Sequence, residues 1–75
     1  MKNMNKQEYE AIFLSWVREA LDDGDISGDD NFLDVGGNSL LAVELLDRYE
    51  KKYGKKISML SLLQQSINNA VANSN

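Results

Sequence analysis

Apolar residues recur along the first part of the chain at the spacing of one helical face. Between residues 6 and 21 they fall three or four positions apart, with polar residues between them. This pattern predicts an amphipathic helix 1 over residues 6–21. Its predicted buried face consists of Tyr9, Ile12, Phe13, Trp16, Val17 and Ala20.

A second periodic segment predicts helix 2 over residues 39–53. Either Asn38 or Ser39 is able to cap its start, and Gly54 suits the left-handed backbone that ends many helices. The predicted apolar stripe of this helix consists of Leu41, Ala42, Leu45, Leu46, Tyr49 and Tyr53.

Two apolar residues of helix 2 fall outside that stripe. On a helical projection, Leu40 and Val43 lie on the side that carries Ser39, and Glu44 and Asp47 flank them. An apolar pair with a charged rim is typical of a docking surface, although single apolar residues are also common on ordinary protein surfaces.

The remaining segments complete an all-α fold. Residues 22–38 are rich in Asp, Asn, Gly and Ser and predict a loop, while residues 59–64 and 66–72 predict a short helix and a last helix. We therefore expect one domain over residues 1–75, a small four-helix bundle with three main helices and one short helix. The loop between helices 1 and 2 is long for so small a domain, and such loops tend to be functional.

Composition narrows the functions that are open to the chain. Its 75 residues include no Cys and no His, which excludes disulfides, Ser-His catalysis and the usual zinc ligands. The formal net charge of -4 argues against nucleic-acid binding, and no apolar run is long enough to span a membrane. We expect a cytoplasmic monomer that is not an enzyme and has no catalytic or metal-binding residues of its own.

Ser39 is the candidate for added chemistry. Its simplest role is that of a helix cap, the commonest use of Ser at such a position. The two preceding glycines exceed what a cap requires, and they permit another protein's backbone to come close. A phosphate ester on Ser39 would also be stabilised at the start of a helix.

Residues 34–42, DVGGNSLLA, resemble the phosphopantetheine attachment motif of carrier proteins, and residues 30–33, DNFL, resemble the segment that precedes it. The double glycine is similar to that of peptidyl carrier domains from nonribosomal peptide synthetases. The resemblance implies that 4'-phosphopantetheine from coenzyme A is attached covalently to Ser39, with Gly37 and Asn38 in the attachment turn. The thiol of this arm would then carry aminoacyl, peptidyl or acyl groups as thioesters.

The same resemblance implies the partners. A phosphopantetheinyl transferase would attach the arm, an adenylation or acyl-loading enzyme would charge it, and condensation, ketosynthase or thioesterase-type enzymes would use the cargo. Leu40, Val43, Glu44 and Asp47 would form the partner-binding face. Because the chain begins at Met1, we expect a free-standing carrier in nonribosomal peptide or hybrid secondary-metabolite biosynthesis.

Three other interpretations stay open: a polyketide-type acyl carrier protein, an unmodified helical interaction module, and a weak calcium-binding loop. In the last, Asp23, Asp25 and Ser27 alternate and Gly28 takes the sharp-turn position of an EF-hand loop. Asp34 stands where a longer Glu is needed, which argues against calcium. A hydrolase elbow is excluded because the second glycine and any histidine are missing.

Overall fold

Four helices make up the regular structure of this computed structural model, which describes residues 4–74. In chain order they are α1 Lys6–Leu21, α2 Ser39–Tyr53, α3 Met59–Gln64 and α4 Ile67–Ala72. The described residues form no strand, and the expected all-α, four-helix architecture is confirmed. The structure has two long and two short helices rather than three main helices and one short one, because α4 spans six residues, as α3 does. None of the described helices is long and apolar enough to cross a membrane. Residues 1–3 and Asn75 of the predicted domain lie outside the described part of the chain.

Polar residues begin each helix by accepting backbone amide hydrogens that have no partner within the helix. Asn5 starts α1 in a reciprocal capping box with Glu8. The other N-caps are Asn38 for α2, Ser58 for α3 and Ser66 for α4. Left-handed residues end the two long helices, Asp22 with φ 50° and Gly54 with φ 67°. The helix bounds therefore follow from local sequence chemistry.

The core lies where the apolar faces of the helices meet. Helix α1 packs against α4 and α2, and α3 contacts both α2 and α4. The buried apolar residues are Phe13, Trp16, Val17, Ile26, Phe32, Ala42, Leu45, Tyr49, Ile57, Leu62, Ile67, Ala70 and Val71. Ala20 was predicted on the buried face and is exposed instead, because in the last turn of α1 it is Leu21 that packs against the core.

The loop between α1 and α2 is fixed to the bundle by two deeply buried side chains. Ile26 is 2% exposed and Phe32 is fully buried. The Arg18 Nε also donates a hydrogen bond of 2.8 Å to the Ile26 carbonyl. The segment that leads into α2 is therefore part of the packed structure, and it holds the start of α2 in a defined place.

Candidate attachment site at the start of α2

Ser39 is the first residue of α2, and it is exposed. Of the two candidate caps, Asn38 and Ser39, it is Asn38 that caps α2. Its Oδ1 accepts the Leu41 amide hydrogen at 2.9 Å. Among the described residues, none forms a hydrogen bond with the Ser39 hydroxyl. The simplest structural role of Ser39 is thus already filled by its neighbour, and its hydroxyl is accessible.

The backbone beside Ser39 is suited to an anion. Asn38 accepts from the amides of Leu41 and Ala42, but the amides of Ser39 and Leu40 have no acceptor among the described residues. The first turn of α2 contains no acidic side chain. A phosphodiester on the Ser39 oxygen would therefore lie at the positive end of the helix dipole, near free donors. The residues present fit a phosphopantetheine group.

The two glycines that precede Asn38 each have a structural reason. Gly36 has φ 109°, a region that side chains rarely allow. Gly37 lies against the ring of Phe32, and a Cβ at this position would overlap that ring. Both glycines are required by the turn itself, so the approach of a partner backbone is not needed to explain them. We call residues 36–39 the attachment turn.

The side of α2 next to Ser39 presents apolar side chains to solvent. Leu40 is 71% exposed and Val43 is 52% exposed, so both lie off the buried stripe as the helical projection predicts. Glu44 and Asp47 are exposed beside them. The Asp47 carboxylate is 2.9 Å from the Lys51 ammonium, and this hydrogen bond and charge raise the pKa of Lys51. The acidic rim is thus partly neutralised at its far end.

Sequence reasoning missed two further exposed leucines and a groove beside Val43. Leu60 on α3 is 61% exposed, and Leu33 in the loop is 45% exposed. A groove of about 500 Å³ borders Val43; its lining residues are Val43, Leu46, Asp47, Glu50, Lys56, Ile57, Ser58, Met59 and Asn73. This groove depends on how residues 56–59 pack against α2, which no periodic pattern in the sequence reveals.

Two acidic residues of the loop accept hydrogen bonds from its own backbone. Asp23 Oδ1 accepts the Asp25 amide hydrogen at 3.0 Å, and Asp30 Oδ2 accepts the Ser27 amide hydrogen at 2.8 Å. Between residues 4 and 74, no group of three or more Asp, Glu, His or Cys side chains is arranged to hold a metal ion. The calcium interpretation therefore has no support in the described loop.

A comparison with known protein families matches residues 12–72 to the family described as the phosphopantetheine attachment site. The chain belongs to this family. No solved structure matches it. Members of the family carry covalently attached 4'-phosphopantetheine, which confirms the predicted cofactor of this carrier protein. Carrier domains of this kind are generally non-catalytic, and they work with a phosphopantetheinyl transferase and further partner enzymes.

Proposed function

We propose that this carrier protein bears its phosphopantetheine on Ser39 and carries aminoacyl or peptidyl groups as thioesters for nonribosomal peptide synthesis. The main support is that Ser39 has an exposed hydroxyl that is not used as a cap, next to two free backbone amides. The likeness of the Gly36-Gly37 pair to peptidyl carrier domains supports this type of cargo.

Loading would join the Ser39 oxygen to the phosphorus that bears pantetheine in coenzyme A. The pyrophosphate bond of coenzyme A breaks, 3',5'-ADP leaves with the bonding electrons, and the hydroxyl proton passes to a base. No described side chain accepts a hydrogen bond from Ser39, so the transferase would supply that base. The attached arm supplies the thiol for the thioester, which lets a chain without Cys take part in acyl transfer.

The exposed side of α2 is the proposed contact for these enzymes. Leu40 and Val43 offer apolar area beside the attachment point, while Glu44 and Asp47 offer a charged rim. A partner with basic residues around an apolar patch would be complementary to this face. Because a carrier passes from one enzyme to the next, its contacts must be small and quickly reversible.

The substitution Ser39→Ala tests the attachment point directly. Intact mass would be measured before and after incubation with coenzyme A, magnesium and a broad-specificity phosphopantetheinyl transferase. Wild type should gain one phosphopantetheinyl group that maps to Ser39, and the variant should gain none. Its circular dichroism should be unchanged, because Asn38 rather than Ser39 caps α2.

The matched control is Ser15→Ala, which removes an exposed serine of α1. This variant should be loaded as fully as wild type. A folded wild type that gains no mass, or a Ser39→Ala variant that does, would show that the attachment point is wrong.

A further inference from the structure

The side-chain amide of Asn31 forms hydrogen bonds through both its nitrogen and its oxygen. Its Nδ2 donates to the carbonyls of Leu63 at 3.0 Å and Gln65 at 3.3 Å. Its Oδ1 accepts from the amides of Leu33 at 2.9 Å and Asp34 at 3.2 Å. All four bonds run to the backbone, so this one side chain joins the loop before α2 to the end of α3.

The Oδ1 bonds begin a short turn that leads directly to the attachment turn. Within it, the Val35 amide donates to the Asn31 carbonyl at 3.2 Å, and the Gly37 amide donates to the Phe32 carbonyl at 2.9 Å. The Phe32 ring also packs on Gly37, two residues before Ser39. The backbone of residues 31 and 32 is therefore tied directly to the attachment turn.

The Nδ2 bonds anchor that turn to the junction of α3 and α4. Carbonyl groups at the end of a helix have no helical donor, and Asn31 supplies one here. The first amides of α4 bond back to the same loop, Ile67 to the Asp30 carbonyl at 3.0 Å and Asn68 to the Gly28 carbonyl at 2.9 Å. The loop before the attachment turn is thus linked to the α3–α4 junction by these backbone bonds and by the Asn31 side chain.

We propose that Asn31 is a positioning residue for the loading of Ser39. Through Phe32 and Gly37, it sets where the Ser39 hydroxyl stands relative to the exposed side of α2 that the transferase contacts. This role of Asn31 in loading rests on the proposed function, in which Ser39 is the residue that is loaded. Its effect on the position of the attachment turn can be measured without any loading.

The substitution Asn31→Asp separates the two ends of the amide. A carboxylate keeps the acceptor for Leu33 and Asp34, because Asp is also a good cap. It removes the donor and places negative charge against the carbonyls of Leu63 and Gln65. We expect kcat for loading to fall about tenfold to a hundredfold with little change in KM, since misplacing a reacting group has effects of this size.

The control is Ser66→Ala, which removes the N-cap of α4 at the same junction but leaves the Asn31 side-chain bonds in place. Ser66→Ala should lower the stability of the protein without lowering kcat for loading. If the role of Asn31 were merely structural, Asn31→Asp would likewise lower stability and leave kcat unchanged. Folding of each variant at the assay temperature would be verified by circular dichroism.

A second measurement follows the amide resonances of residues 36–41 by NMR in the unmodified proteins. Asn31→Asp should shift them, and Ser66→Ala should not. Unchanged resonances in a folded Asn31→Asp variant would overturn the proposal, as would an unchanged kcat. If wild type is not loaded at all, the proposed function fails, and the resonances still decide whether Asn31 places the turn.

Discussion

The two ends of α2 are held by different interactions. Its C-terminal half is packed among rings, with centroids 5.2 Å apart for Tyr49 and Tyr53 and 5.6 Å apart for Tyr49 and Phe13. We call this the aromatic cluster, which consists of Tyr9, Phe13, Trp16, Tyr49 and Tyr53. Its N-terminal end packs on the core through Leu41 and Ala42. The turn that leads into this end rests on the buried Phe32 ring and on the hydrogen bonds of the Asn31 amide.

This difference matches the roles that we propose for the two ends. Apolar packing stabilises in proportion to the area removed from water, and it has no preferred direction. The aromatic cluster can therefore hold the bundle together but would hide any group placed in it. Hydrogen bonds are directional, so they can fix the attachment turn while Ser39 stays exposed. The packing of α2 thus supplies stability, while residues of the loop before it place the attachment turn.

The sharpest test of this division compares two leucines of α2. Leu45 is 5% exposed and Leu40 is 71% exposed. Leu45→Ala should destabilise the protein by about 2–5 kcal/mol, since it leaves a cavity in the core. In a domain this small, that is a large part of the total stability. Thermal and denaturant unfolding of Leu45→Ala and Leu40→Ala would measure the difference in stability between the two variants.

Leu40→Ala is the matched control. Its unfolding free energy should stay within about 0.5 kcal/mol of wild type, as for most surface changes. Its kcat/KM with the transferase should fall about tenfold, which corresponds to about 1.4 kcal/mol of docking energy. A strongly destabilised Leu40→Ala variant would show that both faces of α2 contribute to the core.

A smaller effect on stability is expected in the attachment turn. Gly37→Ala places a methyl group against the buried Phe32 ring and should cost about 1–3 kcal/mol, the usual range for overpacking. Gly24→Ala adds the same methyl group where nothing lies within 4 Å, and it should be tolerated. Denaturant unfolding would compare the stabilities of the two variants. Equal stabilities would mean that the Phe32 ring moves aside with no loss of stability.

Local patterns in the sequence were sufficient to predict the helices. Apolar residues spaced three or four positions apart predict α1, α2 and their buried faces, because residues at that spacing lie on the same face of a helix. Ala20 shows the limit of that rule: the end of a stripe is buried only where another element covers it. The choice between Asn38 and Ser39 as cap could not be made either, because both residue types can cap.

The contacts that place the attachment turn could not be predicted. Asn31 bonds to carbonyls 32 and 34 residues away, and Gly37 must be small only because Phe32 folds back onto it. Such contacts depend on the tertiary fold and leave no periodic signal. The family resemblance predicts Ser39 as the attachment residue from its neighbours, whereas the structural reasons for those neighbours are visible only in three dimensions.

The smallest expected effect concerns a polar group inside the aromatic cluster. The Tyr49 hydroxyl is buried without a hydrogen-bond partner among the described residues. Burial raises the pKa of Tyr49, and the charges of Tyr9 and Tyr53 add to this shift. The nearby Ser74 side chain opposes the shift, but its contact with the Tyr49 hydroxyl does not reach hydrogen-bond geometry. Tyr49→Phe removes the unpaired hydroxyl, so it should stabilise the protein by about 1 kcal/mol or less at neutral pH.

The pH dependence of stability gives a second measure of the same group. Above pH 10.0, the ordinary tyrosine value, Tyr49 ionises in the unfolded chain before it ionises in the folded protein. The unfolded state then binds fewer protons, so wild type loses stability as the pH rises through this range. Tyr49→Phe should lose less stability than wild type as the pH rises above 10.0. If Tyr49→Phe were instead clearly less stable than wild type at neutral pH, the hydroxyl would have to be hydrogen-bonded, and the aromatic cluster would not be held by packing alone.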